Sequence, residues 1–175
     1  MYSILDQRLT WLFNADPRSL FDGRRIGLER EALRVAPDGY ISQIPHPVAL
    51  GSALPHPYIT TDYSESLLEF ITPPLPAIEE VVGFLDDIHR FVYGHIGDEL
   101  LWAASMPCIL AGEASIPIAE YGRSNLGFMK HVYRRGLAWR YGRIMQVIAG
   151  IHFNFSLPDA FWAAFQDQEG DRRSP

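Results

Sequence analysis

The chain has 175 residues, of which 47% are hydrophobic and 21% charged, as in a folded globular protein, so extensive disorder is excluded. Its formal net charge of −6 argues against non-specific nucleic-acid binding, and its single lysine, Lys130, argues against a P-loop phosphate site. One cysteine, Cys108, excludes an internal disulfide framework and a multi-cysteine zinc site. The length predicts one domain or a piece of a larger one.

The first 75 residues predict one helix and two strands. Apolar residues at helical spacing indicate the helix, and runs of apolar residues bounded by turn residues indicate the strands. Asp38-Gly39 is a turn signal, so the chain from Tyr40 is expected to return as the partner of a hairpin. The elements are a helix over residues 3–14, a strand over 24–35 and a strand over 67–72, which Pro73-Pro74 ends.

The remainder of the chain predicts two more helices and a long strand. Apolar residues recur at helical spacing between Ile78 and Val92, with Gly94 near the helix end, and a second helix is expected between Ser124 and Gly142. A strand is predicted from Met145 to Leu157. Residues 1–166 are expected to form the domain and 167–175 a frayed polar tail.

The order of these elements is strands, two helices and a strand, without regular strand–helix alternation. This order favours an α+β fold with a largely antiparallel sheet over a doubly wound sheet. No segment is typical of an export signal, because Asp6 and Arg8 interrupt the first apolar stretch. The uncharged stretch 39–61 contains four prolines and two histidines and is interpreted as extended loop, not a membrane span, so a cytoplasmic protein is expected.

Two acidic groups lie on predicted strands. Glu29 and Glu31 alternate onto one face, where they repel each other unless water or a cation separates them. Glu65 and Glu69 share a face if the second strand starts as early as residue 65. Apolar neighbours make a carboxylate at Glu69 costly to bury without a cation or donors. The alternative for both groups is a polar sheet face in contact with solvent.

The predicted C-terminal strand has one apolar face and one polar but uncharged face. An uncharged polar face suits the wall of a binding cavity, and Gly150 allows a ligand or another backbone to approach closely. A solvent-facing strand with neutral side chains is the alternative. The polar face consists of Gln146, Ile148, Gly150, His152, Asn154 and Ser156.

Placed side by side, the three strands form a sheet with several carboxylates and one histidine on one face. Oxygen ligands without cysteine are typical of a Mg²⁺ or Mn²⁺ site, and Mg²⁺ commonly bridges carboxylates to nucleotide phosphates. His152 suits Mn²⁺ or contacts a phosphate. The residues alone therefore predict a divalent metal and a nucleotide.

The sequence resembles the N-terminal part of the proteobacterial glutamate–cysteine ligases, also called γ-glutamylcysteine synthetases. The matching stretches occur in family order over residues 8–165. They are GLEREALRV from Gly27, HPVALGSALPHPYITTDYSESLLEFITP from His46, SMPC from Ser105, YGRSNLG from Tyr121, YRRGLAWRYGRIMQ from Tyr133 and GIHFNFSLPDAFW from Gly150.

The resemblance implies a glutamine synthetase-like fold and an ATP-dependent reaction. In that reaction an acyl phosphate forms on the glutamate γ-carboxylate and the cysteine amine attacks it, which is the first step of glutathione synthesis. Glutamate, cysteine, ATP and Mg²⁺ or Mn²⁺ are the implied ligands. Family members are much longer, so the resemblance also implies that the rest of the ligase chain completes the site.

Site residues are carried over position by position. The metal-binding region of the family matches Glu29, Glu31, Asp62, Glu65, Glu69 and His152. The region that holds the acceptor cysteine matches Tyr63, Tyr133, Leu137, Gln146 and Ile148, and Arg134 and Asn154 match contacts to substrate or phosphate. No residue is assigned as a nucleophile.

Three other functions stay open at the level of sequence. One is an ATP-dependent carboxylate–amine ligase of the same superfold that uses a different amine. The second is a hydrolase with two catalytic carboxylates, which needs no nucleotide. The third is an inactive partial domain that associates with a complementary piece.

Overall fold

The structure is a computed structural model and describes residues 2–170. It contains five α-helices and five β-strands within that range, together with short 3₁₀ turns at Val48–Leu50, Glu113–Ser115 and Ile144–Val147. The helices are α1 (Tyr2–Asn14), α2 (Pro17–Phe21), α3 (Ile78–Tyr93), α4 (Asn125–Tyr141) and α5 (Asp159–Glu169); the strands are β1 (Arg25–Val35), β2 (Ile59–Thr61), β3 (Leu67–Ile71), β4 (Leu100–Leu101) and β5 (Ile151–Ser156).

The five strands form one antiparallel sheet around β1. Strand β1 pairs with β3 on one side and with β5 and β4 on the other, and β2 pairs with the outer edge of β3. The predicted α+β class with a largely antiparallel sheet is therefore confirmed. The eleven residues of β1 are long enough to serve both partners, since β5 pairs with its first half and β4 with its last two residues.

Helix α3 covers one face of the sheet. Its apolar residues repeat at helical spacing, so Ile88 and Val92 project onto Ala32 of β1 and Phe70 of β3, and all four are buried. Burial of this stripe stabilises the helix, which carries Glu79 in its first turn and Arg90 in its last, as the helix dipole favours. The helix predicted between Ile78 and Val92 is confirmed.

A second apolar core covers one end of the opposite face. Leu33 and Leu67 pair across β1 and β3, and they pack with Tyr63, Ile116 and Val147. Because side chains alternate along a strand, the face that carries these leucines also carries the glutamates of both strands. Apolar packing at one end of the face thus leaves its other end free for polar chemistry.

Helix α4 begins and ends as the sequence predicts. The Ser124 hydroxyl accepts a hydrogen bond from the Gly127 backbone N–H (3.1 Å), and Gly142, with a φ of 78°, ends the helix in a conformation that favours glycine. Leu137 of this helix packs against the second core, whereas Met129 and Tyr133 are exposed.

The predicted hairpin after Asp38-Gly39 is reduced to single bridges. Ile41 bridges to Val35, and Tyr40 bridges to Ile109, so the returning chain does not extend the sheet as a strand. The turn itself is present, because the Gly39 N–H donates to the Ala36 carbonyl.

The strand predicted from Met145 to Leu157 is wrong in its first half. Residues Ile144–Val147 form a 3₁₀ turn, and β5 begins only at Ile151. The backbone turns here because the Ala149 N–H donates to the Ser105 carbonyl, outside any ladder. Val147 and Ala149 are consequently buried in the second core, away from the residues of β5.

Two other details differ from expectation. The apolar face of β5 is exposed at Ile151, Phe153 and Phe155. Helix α5 continues to Glu169, whose carboxylate binds Arg8 of α1 (2.8 Å), so residues 167–169 are helical and not a frayed tail. Residues 171–175 of the predicted tail lie outside the described residues.

No helix in the described part of the chain has both the length and the apolar character to cross a bilayer.

Candidate active site

Strand register brings the predicted carboxylates and the histidine onto one patch of the sheet. Glu31 of β1 lies directly opposite Glu69 of β3, and Glu29 lies directly opposite His152 of β5. Directly opposed side chains in an antiparallel pair have Cβ atoms about 5 Å apart. Residues that are far apart in sequence therefore become neighbours because β1 pairs with a strand on each side.

Glu29 is held by two side chains of β5. The His152 Nδ1 lies 3.0 Å from Glu29 Oε2, and the Asn154 Nδ2 donates to Oε1 at 2.8 Å. The hydrogen bond from His152 lowers the pKa of Glu29, with a smaller lowering from Asn154, and the same bond to Glu29 raises the pKa of His152. Glu29 is therefore kept ionised and oriented.

Glu31 is held by the backbone at the start of β5. The Gly150 N–H donates to Glu31 Oε2 at 2.7 Å, and the Gly150 carbonyl accepts from the Glu31 N–H at 3.0 Å. A Cβ at Gly150 would lie 3.3 Å from the His152 ring, so glycine allows this close approach. Burial raises the pKa of Glu31 although the Gly150 bond opposes the shift.

Glu69 is the least compensated carboxylate of the group. No hydrogen bond reaches its side chain from residues 2–170, and burial, followed by the negative charges of Asp62, Glu31 and Glu29, raises its pKa to about 7. Asp62, in the turn after β2, lies beside β3 because its backbone N–H donates to the Leu67 carbonyl (3.0 Å), and its charge acts on Glu69. We call Glu29, Glu31, Asp62, Glu69 and His152 the carboxylate cluster.

The carboxylate cluster has the ligand types of a divalent metal site, but its side chains do not converge on one metal position. Among the described residues no three Asp, Glu, His or Cys side chains are arranged to hold a metal ion. Glu29 and Glu31 are turned toward hydrogen-bond donors of β5 instead. A hard cation would offset both the burial of the Glu69 charge and the repulsion from its acidic neighbours, so the donor types fit Mg²⁺ or Mn²⁺.

Glu65 lies apart from the carboxylate cluster. Its two carboxylate oxygens accept hydrogen bonds from the backbone N–H groups of His46 (2.9 Å) and Glu120 (2.8 Å). Both bonds fasten loops to the turn that precedes β3. The resemblance assigned Glu65 to the metal region, whereas its contacts here are those of a residue that holds the surrounding loops.

The turn that carries Asp62 is held by residues of and before α4. The Arg134 Nε donates to the Asp62 carbonyl (2.5 Å), and the Tyr121 hydroxyl donates to the Thr61 carbonyl (2.6 Å). The Arg134 guanidinium also lies 4.8 Å from the centre of the Tyr121 ring. Sequence reasoning did not single out Tyr121, although it begins the stretch YGRSNLG.

The residues predicted to hold the acceptor amino acid are only partly brought together. Tyr63 is buried in the second core with Leu137 packed against that core, whereas Tyr133 is 63% exposed on α4. Gln146 lies in the 3₁₀ turn and Ile148 directly after it, so neither shares a strand with His152. Both lie in or directly after a turn, not on the strand face that alternation predicted.

Known proteins that are similar to this chain belong to the family that the sequence motifs resemble. The family model described as glutamate–cysteine ligase matches residues 9–174. The glutamate–cysteine ligase of Alcanivorax borkumensis is 59% identical over 167 residues, which cover 95% of this chain and 32% of that protein. The one from Pseudomonas putida strain W619 is 62% identical over 148 residues, covering 85% of this chain and 28% of that protein.

A solved structure gives the same result at the level of fold. The crystal structure of a Francisella tularensis glutamate–cysteine ligase in complex with AMP superposes with a TM-score of 0.80 at 41% identity, covering 83% of this chain and 29% of that one. The chain thus spans about a third of the length of the curated relatives it matches. Motifs, sheet topology and sequence identity agree, and the chain belongs to the glutamate–cysteine ligase family.

Proposed function

We propose that this chain supplies the metal- and acceptor-binding part of an enzyme that joins the glutamate γ-carboxylate to the cysteine amine with ATP. The observation that carries the proposal is the carboxylate cluster on one sheet face of a family member, with Glu69 lacking any donor among the described residues. The AMP bound to the related Francisella structure supports a nucleotide in this role. The longer length of the relatives implies that further residues complete the site.

The chemistry explains why such a site needs acids. A carboxylate is a poor electrophile, so its conversion to an acyl phosphate must precede attack by an amine. Both reactants of that first step are anions, and a bound Mg²⁺ or Mn²⁺ would offset their repulsion and stabilise the transferring phosphoryl group. In this chain Glu29, Glu31, Asp62 and Glu69, with His152, would hold that ion.

The three glutamates of the cluster differ in how they are prepared to bind a cation. Hydrogen bonds from β5 keep Glu29 charged and oriented, and the Gly150 N–H does the same for Glu31. The half-buried Glu69 has a pKa of about 7, so protonated and ionised forms coexist near neutral pH, and a bound cation would favour the ionised form.

The acceptor cysteine would lie beside α4 and the turn that follows it. Tyr133, Gln146 and Ile148 are exposed or half-buried there and free to contact a small ligand, and Tyr63 and Leu137 form the apolar floor. Asn154 donates to the Glu29 carboxylate and Arg134 to the Asp62 backbone carbonyl. We propose that Asn154 orients Glu29 and that Arg134 holds the turn that carries Asp62, in addition to any contact with phosphate.

The first prediction concerns Glu69. A chimera in which this chain replaces the matching third of the Alcanivorax borkumensis ligase should form ADP when given glutamate, cysteine and Mg-ATP. Glu69→Gln removes one ligand charge and should lower ADP formation by about 100-fold or more. In the isolated chain the same change should raise the apo melting temperature by about 2–4 °C, because it removes charge repulsion, and should weaken stabilisation by Mn²⁺.

The matched control is Glu79→Gln on α3, an exposed glutamate on the other side of the sheet. It should change neither ADP formation nor the response to Mn²⁺. Near-normal rates for Glu69→Gln at ordinary Mg²⁺ would exclude the metal role. A panel of amines, scored by ADP release, separates cysteine from another acceptor, and product formation without ATP would favour the hydrolase instead.

A further inference from the structure

A second candidate site lies beside α4, apart from the carboxylate cluster. It is a cavity of about 340 Å³, a volume typical of small-molecule sites. It shares no lining residue with the cluster, and it uses positions of α4 other than the Tyr133 and Leu137 assigned above to the acceptor. The cavity is lined by Glu113, Ile118, Arg135, Ala138, Trp139 and Arg143.

Charges of both signs line this cavity without pairing. Within residues 2–170, none of Glu113, Arg135 and Arg143 lies in an ion pair with a nitrogen–oxygen distance of 4 Å or less. The one hydrogen bond from these three side chains joins the Arg143 Nη1 to the Ile116 carbonyl (2.9 Å). The Glu113 carboxylate and the Arg135 guanidinium thus keep their full hydrogen-bonding capacity for a ligand.

A buried hydroxyl without a partner lies close to the same charges. Tyr63 is 2% exposed, and no hydrogen bond reaches its hydroxyl within the described residues. Burial raises the pKa of Tyr63, while the positive charge of Arg143 lowers it and the negative charge of Glu113 raises it further. Tyr63 does not line the cavity, so its hydroxyl is a neighbour of these charges and not a contact of the ligand.

Apolar surface completes the cavity. Ile118 and Ala138 pack against the second core and form an apolar wall, and Trp139, on the same helix, is 89% exposed. From the unpaired charges and this wall, we propose that the cavity binds a zwitterionic α-amino acid with an apolar side chain. The two arginines take its carboxylate, Glu113 takes its ammonium group, and the side chain lies between the apolar wall and the indole.

The test uses L-leucine and its two halves as probes of the 175-residue chain. 4-Methylpentanoate is leucine without the ammonium group, and 3-methylbutylamine is leucine without the carboxylate. Titration calorimetry or saturation-transfer NMR should show leucine binding with a Kd of about 1 mM and each half binding about tenfold more weakly. Equal affinity for all three probes, or no binding of leucine at about 10 mM, overturns the proposal.

Two substitutions test the assigned roles. Glu113→Gln should bring leucine down to the affinity of 4-methylpentanoate, and Arg135→Gln should weaken leucine and 4-methylpentanoate but leave 3-methylbutylamine unchanged. Arg140→Gln, an exposed arginine of α4 outside the cavity, is the matched control and should bind all probes like the parent chain. Equal losses in Arg140→Gln and Arg135→Gln would also overturn the proposal.

The inference goes beyond the proposed ligase function and fails separately from it. Glu69→Gln and Gln146→Ala should leave leucine binding unchanged, because neither residue lines the cavity. Loss of leucine binding in Gln146→Ala would place the probe at the acceptor region and overturn the second site, while leaving the ligase proposal intact. Conversely, if leucine binds normally but Mn²⁺ does not raise the melting temperature of the chain, the metal site is contradicted and the leucine site is not.

Discussion

At the scale of single residues, Glu69 illustrates how sequence and structure contribute differently. Its apolar neighbours along the chain already indicate a costly carboxylate, because burial of a charge needs compensation. The structure adds the second cause, since Glu31 lies directly opposite and Asp62 lies nearby. The first cause is local and can be read from a sequence, whereas the second depends on strand register.

The second prediction concerns the acceptor residues Tyr133 and Gln146. In the chimera, Tyr133→Ala and Gln146→Ala should each raise the KM for cysteine by about tenfold and change the KM for glutamate by less than about twofold. The reason is that Tyr133 lies on α4 and Gln146 in the turn that follows it, apart from the carboxylate cluster. Steady-state kinetics with each substrate varied in turn makes the measurement.

Tyr141→Ala serves as the control for this pair. Tyr141 is also an exposed tyrosine of α4, but it ends the helix and is not assigned to the site. It should leave both KM values unchanged. A larger change in the glutamate KM than in the cysteine KM would contradict the acceptor role.

At the scale of elements, β5 shows that alternation of apolar and polar residues does not by itself define a strand. Apolar and polar residues alternate from Met145 through Ser156, and this alternation is typical of one strand. Hydrogen bonds decide otherwise for the first half, because Gly150 binds the Glu31 side chain and Ala149 binds Ser105. Periodicity reports which residues are apolar, but a strand also needs a partner backbone in register.

The packing of α3 on β1 includes a histidine that must be neutral. The His89 Nδ1 donates to the Leu85 carbonyl (2.7 Å), and its Nε2 accepts a hydrogen bond from Arg30. Burial lowers the pKa of His89 from its usual 6.5, and the positive charge of Arg30 lowers it further, while Asp86 and the Leu85 bond oppose this. Protonation would place an N–H against the guanidinium.

The third prediction follows from this contact. A histidine with a lowered folded-state pKa binds fewer protons folded than unfolded, so it destabilises the fold as the pH falls below 6.5. His89→Gln should therefore lose less stability than the parent chain between about pH 7.5 and about pH 5.5. Urea unfolding at the two pH values makes the comparison.

His95→Gln is the matched control for this element. His95 lies just beyond the same helix, is exposed, and binds the Phe91 carbonyl through Nδ1. Its substitution should leave the pH dependence of the parent chain unchanged. The assignment to His89 is wrong if both variants show the same dependence.

At the scale of the whole molecule, one buried arginine joins four distant segments. Arg34 is fully buried, and its Nη1 donates to Glu99 (2.6 Å). Its Nη2 donates to the Ile44 carbonyl (2.6 Å) and the Glu65 carbonyl (3.3 Å). It thereby connects β1 to the loop near residue 44, to the turn before β3 and to the segment before β4.

The fourth prediction tests this node. Glu99→Gln keeps the shape of the side chain but leaves the buried Arg34 without its counter-charge, so we expect a loss of about 3–5 kcal/mol in the free energy of unfolding. Urea unfolding of the isolated chain measures it. Asp98→Asn, its exposed neighbour, should change stability by less than about 0.5 kcal/mol; comparable losses in both variants would contradict the role of the pair.

The sequence by itself determined the α+β class, the positions of α3, α4, β1 and β3, and the family. Periodicity, capping residues and motif order are properties of the sequence, and they do not depend on which distant segments come into contact. Only the tertiary structure decided which carboxylates become neighbours, that Glu65 binds the backbone of two loops, and that the start of the last predicted strand forms a turn. It also decided that charges of residues 113, 135 and 143 surround one cavity. These outcomes depend on strand register and on hydrogen bonds between segments about 20–120 residues apart, which leave no periodic signal in the chain.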